Sequence, residues 1–242
     1  MTEPTAPLRF YDLCAADPVV RFSPYCWRIK MALAHKGLPF ETIPWRFTEK
    51  DAIAASGQGL VPVLLDGEHV VHDSWRIAIY LDEAYRERPT LLGRIVGRAH
   101  ARFTKDWTER VVHPIIPRLV LLDILACIDP KDKAYFRESR EARYGMQLER
   151  VVVPPEEGVA SLHAALAPAR ATLEAQPFFG GDRPSFPDYC LFGAFMWGRC
   201  VSPLELLPDP DDPVRRWREG LLDAFGGMAR RAPRAVRSAA GS

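Results

Sequence analysis

The sequence lacks several features that would indicate particular classes of protein. It contains no run of about 20 uninterrupted apolar residues and no signal-peptide pattern, so membrane spanning and secretion are not expected. The formal net charge of +1 supplies no electrostatic reason to expect nucleic acid or an acidic membrane as the main partner. Internal repeats and low-complexity blocks are absent. We therefore expect a globular, cytoplasmic protein.

The five cysteines form no C-x-x-C pair and show no Cys/His spacing suited to zinc. We expect neither a metal site nor a disulfide framework, and a reducing compartment fits this usage. Small buried apolar side chains are the expected role of the three cysteines that lie in apolar helical runs, Cys127, Cys190 and Cys200.

The most informative segment is Ser23-Pro24-Tyr25-Cys26-Trp27-Arg28. Ser23 is a good helix N-cap and Pro24 suits the first turn, so a helix is predicted over 24–36, with Gly37 as its stop. Free backbone N–H groups and the positive end of the helix dipole then converge beside an uncommitted hydroxyl, which favours a thiolate there. Cys26, Ile29 and Leu33 supply the apolar positions of this helix, and Arg28, Lys30, His35 and Lys36 its polar positions.

Strand patterns surround this helix. Residues 8–13 alternate like a strand before it, and residues 40–43 do so after it. Residues 61–65 and 69–71 flank Asp66-Gly67, a strong signal for a two-residue hairpin turn. Asp73-Ser74 then opens a second periodic helix. The predicted order is β-α-β, a loosely structured stretch, and β-β-α.

Helical patterns replace strands after Pro89 and Leu91-Leu92-Gly93, which mark the predicted linker. Ser185 and Asp188 have the spacing of a capping box. The basic segment from Arg230 to Arg237 is expected to be a solvated, flexible tail. Helices are predicted near 94–127, with a bend or break at Pro114 and Pro117, and near 131–150, 156–175, 185–200 and 211–225.

Residues 8–92 resemble the thioredoxin-type N-terminal domain of the soluble glutathione transferases. The motifs that carry the resemblance are Ser23-Pro24-Tyr25, Leu60-Val61-Pro62-Val63-Leu64, Asp73-Ser74 and Ala78-Ile79-Tyr80-Leu81-Asp82. It implies an α/β thioredoxin-like domain over 1–92, an all-α C-terminal domain over 93–242, and a homodimer. The long segment 12–22, Trp27-Arg28 and the run 33–37 are similar to bacterial glutathione-dependent β-etherases.

The resemblance also implies a site for glutathione as cosubstrate. Ser23 would stabilise the thiolate, with Tyr11 as the rival hydroxyl. Val61-Pro62 would be a cis step at which the Val61 backbone pairs with the peptide, and Asp73 and Ser74 would hold the γ-glutamyl end. For the glycyl carboxylate, the loop after the second strand offers Lys50, with Arg46 behind it.

The second substrate is expected between the domains, where Phe103, Trp107 and Trp197 are the candidate lining residues. Their aromatic character suits a hydrophobic aromatic electrophile, and the etherase resemblance implies displacement of a phenolate by the glutathione thiolate. Two other functions stay open. Ser23-Pro24-Tyr25-Cys26 also resembles a glutaredoxin motif with its first cysteine replaced, which would make the protein a thiol-disulfide oxidoreductase using Cys14 or Cys26. The other is a catalytically silent glutathione-binding module.

Overall fold

The computed structural model describes residues 7–235, which form a four-stranded sheet followed by a helical region. The strand order is β2-β1-β3-β4, with β1 parallel to β2 and the other two pairs antiparallel. The first half contains β1 (Leu8–Leu13), α1 (Pro24–His35), β2 (Phe40–Trp45), a 3₁₀ helix (Lys50–Ser56), β3 (Val63–Asp66), β4 (His69–His72) and α2 (Ser74–Ala84). This sequence of elements confirms the predicted thioredoxin-like order.

The second half is helical, as predicted, but three of the predicted helices are divided. Its elements are α3 (Ile95–Trp107), a π-helical turn (Thr108–Val112), α4 (Ile116–Cys127), α5 (Pro130–Tyr144), α6 (Leu148–Val151), α7 (Pro155–Ala165), α8 (Ala167–Ala175), α9 (Phe186–Val201) and α10 (Pro213–Gly227). The break between α3 and α4 lies at Pro114, because proline cannot continue the ladder of helical hydrogen bonds. Gly145, in the left-handed region at φ 68°, ends α5. None of the helices within 7–235 is long and apolar enough to cross a membrane.

Helix α1 lies between the sheet and the second half of the chain. Its most extensive packing is against α9, where a Cβ built on Gly193 would lie only 2.3 Å from the Pro24 carbonyl oxygen. Glycine therefore permits the close approach of the two helices. The start of α9 is fixed by the predicted capping box, in which the Ser185 N–H donates to Asp188 at 2.8 Å.

Three of the four polar side chains predicted for the first helix are buried in the structure. Arg28, Lys30 and Lys36 are 0%, 6% and 1% exposed. Each is paired with a carboxylate that is distant in sequence: Arg28 with Glu109 at 2.5 Å, Lys30 with Asp12 at 2.7 Å and Lys36 with Asp82 at 2.9 Å. Burial of a cation is tolerated when it is paired in this way.

The two halves are also joined at the far edge of the sheet. Asp132 of α5 accepts hydrogen bonds from the Phe47 N–H at 2.9 Å and from the Thr48 hydroxyl at 2.6 Å. Because Asp132 is only 1% exposed, these bonds hold the segment after β2 firmly against α5.

The basic carboxy-terminal segment differs from the expected solvated tail within the described residues. The Arg234 side chain donates to the Arg199 carbonyl at 2.8 Å and to the Ser202 carbonyl at 3.0 Å, and the Ala235 N–H donates to the Cys200 carbonyl at 2.7 Å. Residues 230–235 thus pack on the end of α9. The rest of the predicted tail, residues 236–242, lies outside the described residues.

Candidate functional site

Ser23 caps α1 at the point where the sequence predicted a reactive thiolate. Its Oγ accepts a hydrogen bond from the Cys26 N–H at 3.2 Å, and Pro24 follows at the first helical position. The hydroxyl uses a lone pair in this bond and keeps its own proton. Burial raises the pKa of the Cys26 thiol, and a hydrogen bond from the Ser23 side chain partly opposes that rise. The positive end of the α1 dipole lies beside this hydroxyl.

Tyr11, the rival hydroxyl, lies on the other side of the sheet. Side chains alternate between the two faces of a strand, and Asp12 points towards α1, where it pairs with Lys30. The Tyr11 ring therefore points away from α1, while its backbone carbonyl accepts from the Cys26 thiol at 3.8 Å. This geometry favours Ser23 as the residue that meets sulfur.

The Val61-Pro62 peptide bond is cis, as expected. The Val61 N–H and C=O make no hydrogen bond to any residue that the structure describes, whereas the neighbouring Leu60 N–H is bonded to the Gln58 side chain at 2.8 Å. Val61 consequently presents one donor and one acceptor, the pair that an extended peptide needs in order to bind along a backbone.

The two cations predicted for the glycyl carboxylate differ in how they are held. The Lys50 ammonium donates to the Gly59 carbonyl at 2.6 Å and lies 4.9 Å from the centre of the Trp45 ring. Lys50 begins the 3₁₀ helix between β2 and β3, and its ammonium retains two further N–H donors. Arg46 instead pairs with Asp129 at 3.1 Å, and its guanidinium therefore joins the two halves of the chain.

Asp73 and Ser74 start helix α2 in an unusual backbone conformation. Asp73 has φ 69°, a value that non-glycine residues rarely adopt and that is often retained at functional sites. Its Oδ1 accepts from the N–H groups of Trp75 at 3.0 Å and Arg76 at 3.1 Å, while Oδ2 accepts from none of residues 7–235. Ser74 is 2% exposed, and its Oγ lies 3.5 Å from Nη1 of Arg28.

The candidate lining residues for a second substrate differ in their burial and contacts. Trp197 contacts the His113 ring edge-on at 6.0 Å, and His113 contacts Tyr25 in the same way at 5.3 Å, which connects Trp197 to the first turn of α1. Trp107 is half-buried at the end of α3. Phe103 is 72% exposed on α3 and makes no ring contact with the described residues.

Comparison with known proteins decides the family. Residues 22–84 match the family profile "Glutathione S-transferase, N-terminal domain", and residues 99–225 match "Glutathione S-transferase, C-terminal domain". The chain belongs to the glutathione S-transferase family. This family uses glutathione as cosubstrate.

The first curated relatives of this family member match only part of the chain. Glutathione S-transferase Z1 of Arabidopsis thaliana is 42% identical over 69 residues, which is 26% of this chain and 31% of that protein. The chain spans about a third to a half of the length of the first curated relatives it matches, 31% to 50%.

Solved structures cover nearly the whole chain. Glutathione transferase GSTFuA3 from Phanerochaete chrysosporium superposes with a TM-score of 0.81 at 25% identity, covering 90% of this chain and 96% of that one. A glutathione S-transferase of Ceriporiopsis subvermispora, CsGST63524, was solved in complex with glutathione. It gives a TM-score of 0.78 at 24% identity, covering 91% of this chain and 96% of that one.

Sequence reasoning missed a charge network beside the predicted γ-glutamyl site. The fully buried Arg28 guanidinium pairs with Glu109 of the π-helical turn, and Glu109 also pairs with Lys105 at 2.7 Å. Burial would raise the pKa of Glu109, but the charges of Arg28 and Lys105 hold it below its ordinary value. The sequence signal for this network was an arginine two positions after the apolar Cys26. It did not identify the partner of Arg28, because Glu109 lies 81 residues further along the chain.

His113 is the second residue that sequence reasoning missed. It is 7% exposed, and its Nε2 has no hydrogen-bond partner among the described residues. Burial, reinforced by the positive charges of Arg28 and Lys105, lowers the pKa of His113 well below its ordinary value. The imidazole is therefore neutral at pH 7, and it is a ring contact for Tyr25 rather than a cation.

The cysteines nearest the site are buried thiols. Cys26 is 0% and Cys14 1% exposed, and burial raises the pKa of both, most strongly for Cys26. A raised pKa disfavours the thiolate that redox exchange requires. Among residues 7–235 there is no group of three or more His, Cys, Asp or Glu side chains arranged to hold a metal ion.

Proposed function

We propose that the protein is a glutathione S-transferase in which Ser23 donates its hydroxyl proton to the glutathione sulfur and so stabilises the thiolate. The observation that carries this proposal is the position of the Ser23 hydroxyl, which accepts from the Cys26 N–H at the N-terminus of α1. A free thiol has a pKa near 8.5, and each unit by which a site lowers it corresponds to about 1.4 kcal/mol. One hydrogen bond and a helix N-terminus are sufficient for a shift of this size.

The remaining proposed contacts follow the glutathione chain. Val61 pairs with the cysteinyl backbone through its free N–H and C=O. Asp73 accepts from the γ-glutamyl ammonium through Oδ2, and Ser74 binds the adjacent carboxylate. Lys50 reaches the glycyl carboxylate with the N–H donors that Gly59 does not use.

We further propose that the acceptor is a hydrophobic aromatic electrophile bound beside Tyr25, with Trp197 and Trp107 as lining residues. An aryl ether with a carbonyl next to the reacting carbon is the specific candidate. The thiolate forms a carbon–sulfur bond as the carbon–oxygen bond breaks, and the phenolate leaves with the bonding electron pair and takes a proton from water. No oxidant or reductant is required.

Thiol-disulfide exchange is the less favoured alternative, because Cys26 is fully buried and Ser23 occupies the position of the attacking thiol. The five cysteines are all unpaired, which supports the proposed cytoplasmic location. We also propose two domains, 1–92 and 93–242.

A homodimer is proposed from the family and from one exposed apolar surface on α3. Ile95, Val96 and Phe103 are 88%, 82% and 72% exposed, and Val96 and Phe103 are seven positions apart and therefore lie on the same helix face. Exposed apolar side chains in a row are typical of an interaction surface. This position suits contact between Phe103 and a second copy better than contact with the acceptor.

The decisive test measures both products with glutathione and a ketone-bearing aryl ether. We expect a glutathione thioether and a phenol in equal amounts. Ser23→Ala should reduce turnover by roughly tenfold to a hundredfold while preserving much of the glutathione affinity. Ser139→Ala, which removes a serine that bonds only within α5, serves as the matched control.

Each contrary outcome has a specific meaning. Unchanged turnover in Ser23→Ala together with a large loss in Tyr11→Phe would transfer the role to Tyr11. Intact aryl ethers combined with conjugation of halides or epoxides would reject the etherase reaction and leave the transferase. Glutathione binding without turnover of any electrophile would identify a silent binding module.

A further inference from the structure

A polar cavity is formed by α9, α10 and the segments that follow these two helices. Its volume is about 170 Å³, several times the space that one water molecule occupies. Four arginines and two glutamates are among its lining residues: Arg199, Arg218, Arg230, Arg234, Glu205 and Glu219. No residue that is proposed to bind glutathione or the acceptor lines this cavity, so it is a second candidate site.

Two of the four arginines are paired with carboxylates. Arg218 pairs with Glu205 at 2.6 Å and with Glu219 at 2.8 Å. Arg230 shares Glu219 at 3.0 Å and also pairs with Asp223, which does not line the cavity. Each of these three carboxylates is therefore already bound to Arg218 or Arg230.

Arg199 and Arg234 have no carboxylate partner among the described residues. Nη2 of Arg199 donates to the Arg230 carbonyl at 3.0 Å, and its Nε is buried without a partner within residues 7–235. Arg234 donates through Nε and Nη2 to the carbonyls of Arg199 and Ser202. The Nη1 group of each arginine makes no hydrogen bond in the part of the chain that the structure describes. Both guanidiniums therefore keep donors for a ligand.

The charges around the cavity do not balance. Four guanidiniums face three carboxylates when Asp223 is counted with the two lining glutamates, which leaves one positive charge. Burial and the positive charges of Arg234 and Arg230 lower the pKa of Arg199, as expected for a cation held beside other cations. A purely structural role, in which these arginines only bind carbonyl oxygens at the end of α9, leaves the surplus charge and the free donors unexplained. A bound anion would supply both a negative charge and acceptors.

We propose that this cavity binds a phosphate group, which Arg199 and Arg234 hold through their free donors. In a monoester, a phosphate group carries about 1.5 to 2 negative charges near pH 7 and three strong acceptor oxygens. A carboxylate has only two oxygens and one charge, whereas planar guanidinium groups bind phosphate in a bidentate manner. A bound phosphate would join α9, which contains Arg199, to the segment 230–235, which contains Arg234. This inference goes beyond the proposed function and does not depend on it.

Thermal unfolding and titration calorimetry of the full chain test the proposal with inorganic phosphate. Sodium chloride at equal ionic strength is the reference, and sodium acetate is the carboxylate probe. We expect saturable binding of phosphate and, at ten times its Kd, a Tm about 3–6 °C above that in the reference salt. β-Glycerophosphate distinguishes the source of the group: tighter binding than inorganic phosphate indicates the phosphate of a larger molecule, and weaker binding indicates the free ion.

Arg199→Gln and Arg234→Gln should each weaken phosphate binding by roughly tenfold or more, because each removes charge-assisted hydrogen bonds. The exposed position of Arg234 provides a variant that tests the site even where Arg199→Gln does not fold. Arg215→Gln is the matched control, because Arg215 also donates to backbone carbonyls but does not line the cavity. Its affinity for phosphate should stay within about twofold of wild type, since solvent and salt screen a charge outside the cavity.

Three results would overturn the proposal. The first is a Tm in phosphate no higher than in sodium chloride, which would mean that no specific site exists. The second is a loss of affinity in Arg215→Gln equal to that in Arg199→Gln or Arg234→Gln, which would make binding a general effect of positive charge. The third is equal stabilisation by acetate, which would reject phosphate as the class of ligand.

Discussion

Gly193→Ala tests whether the close approach of α9 to α1 positions the predicted reactive hydroxyl. The new methyl carbon would lie 2.3 Å from the Pro24 carbonyl oxygen, and Cβ atoms essentially never approach another heavy atom closer than 3.0 Å. The start of α1 must therefore move away from α9 by about 0.7 Å. The obstructing atom belongs to the backbone, so no side-chain rotation can relieve the contact. Because Pro24 follows Ser23 directly, the cap must move with it.

The expected change in the free energy of unfolding of Gly193→Ala has two opposing parts. Overpacking in a well-packed interior destabilises by about 1–3 kcal/mol, and replacing glycine by alanine within a helix stabilises by about 1 kcal/mol. Since the contact is with backbone, we expect the upper part of this range and a net loss of about 2 kcal/mol in the free energy of unfolding. In a chain of this size that loss lowers Tm by about 4–8 °C. A displacement approaching 1 Å should also reduce turnover by roughly tenfold to a hundredfold.

Urea unfolding followed by circular dichroism, together with the aryl ether assay, measures both effects. Gly220→Ala in α10 is the matched control, because its new methyl group meets no atom within 4 Å. This control should gain about 0.5–1 kcal/mol from helix propensity and keep full turnover. A Gly193→Ala protein as stable and as active as wild type would refute the idea that helix contact positions Ser23.

Two further predictions concern assembly and pH. Phe103→Glu should convert a dimer into a monomer in light-scattering measurements, because a charge would be buried in an apolar interface; a dimer that persists at low concentration would remove α3 from the interface. The depressed pKa of His113 means that its imidazole takes up a proton below pH 6.5 in the unfolded chain but only at lower pH in the folded protein. The free energy of unfolding should therefore fall as pH drops below about 6.5, by up to about 1.4 kcal/mol per pH unit. His113→Gln should reduce that slope when unfolding is measured over a range of pH. An equal slope in the variant would contradict a buried, neutral His113.

Local sequence signals predicted most of the secondary structure. Ser23-Pro24 marked the start of α1, Asp66-Gly67 marked the hairpin between β3 and β4, and Ser185 with Asp188 marked the start of α9. Each of these signals depends on hydrogen bonds or backbone preferences within a few residues, so the chain carries the information locally. The same holds for Ser23, whose cap geometry is determined by its own helix.

Other features depended on partners that are distant along the chain. The helical pattern of α1 identified Arg28, Lys30 and Lys36 as polar positions, but only the structure shows that each is buried and paired with a carboxylate. The closest of these carboxylates in sequence is 18 residues away, and no local pattern identifies it.

The sequence by itself determined the order of strands and helices, the capped start of α1 and the residue types available for binding glutathione. Only the tertiary structure decided that Tyr11 faces away from α1, that Phe103 is exposed and that Arg28 lies behind Ser74. The reason is that burial and charge pairing depend on which elements pack together, whereas capping and turn formation depend on neighbouring residues.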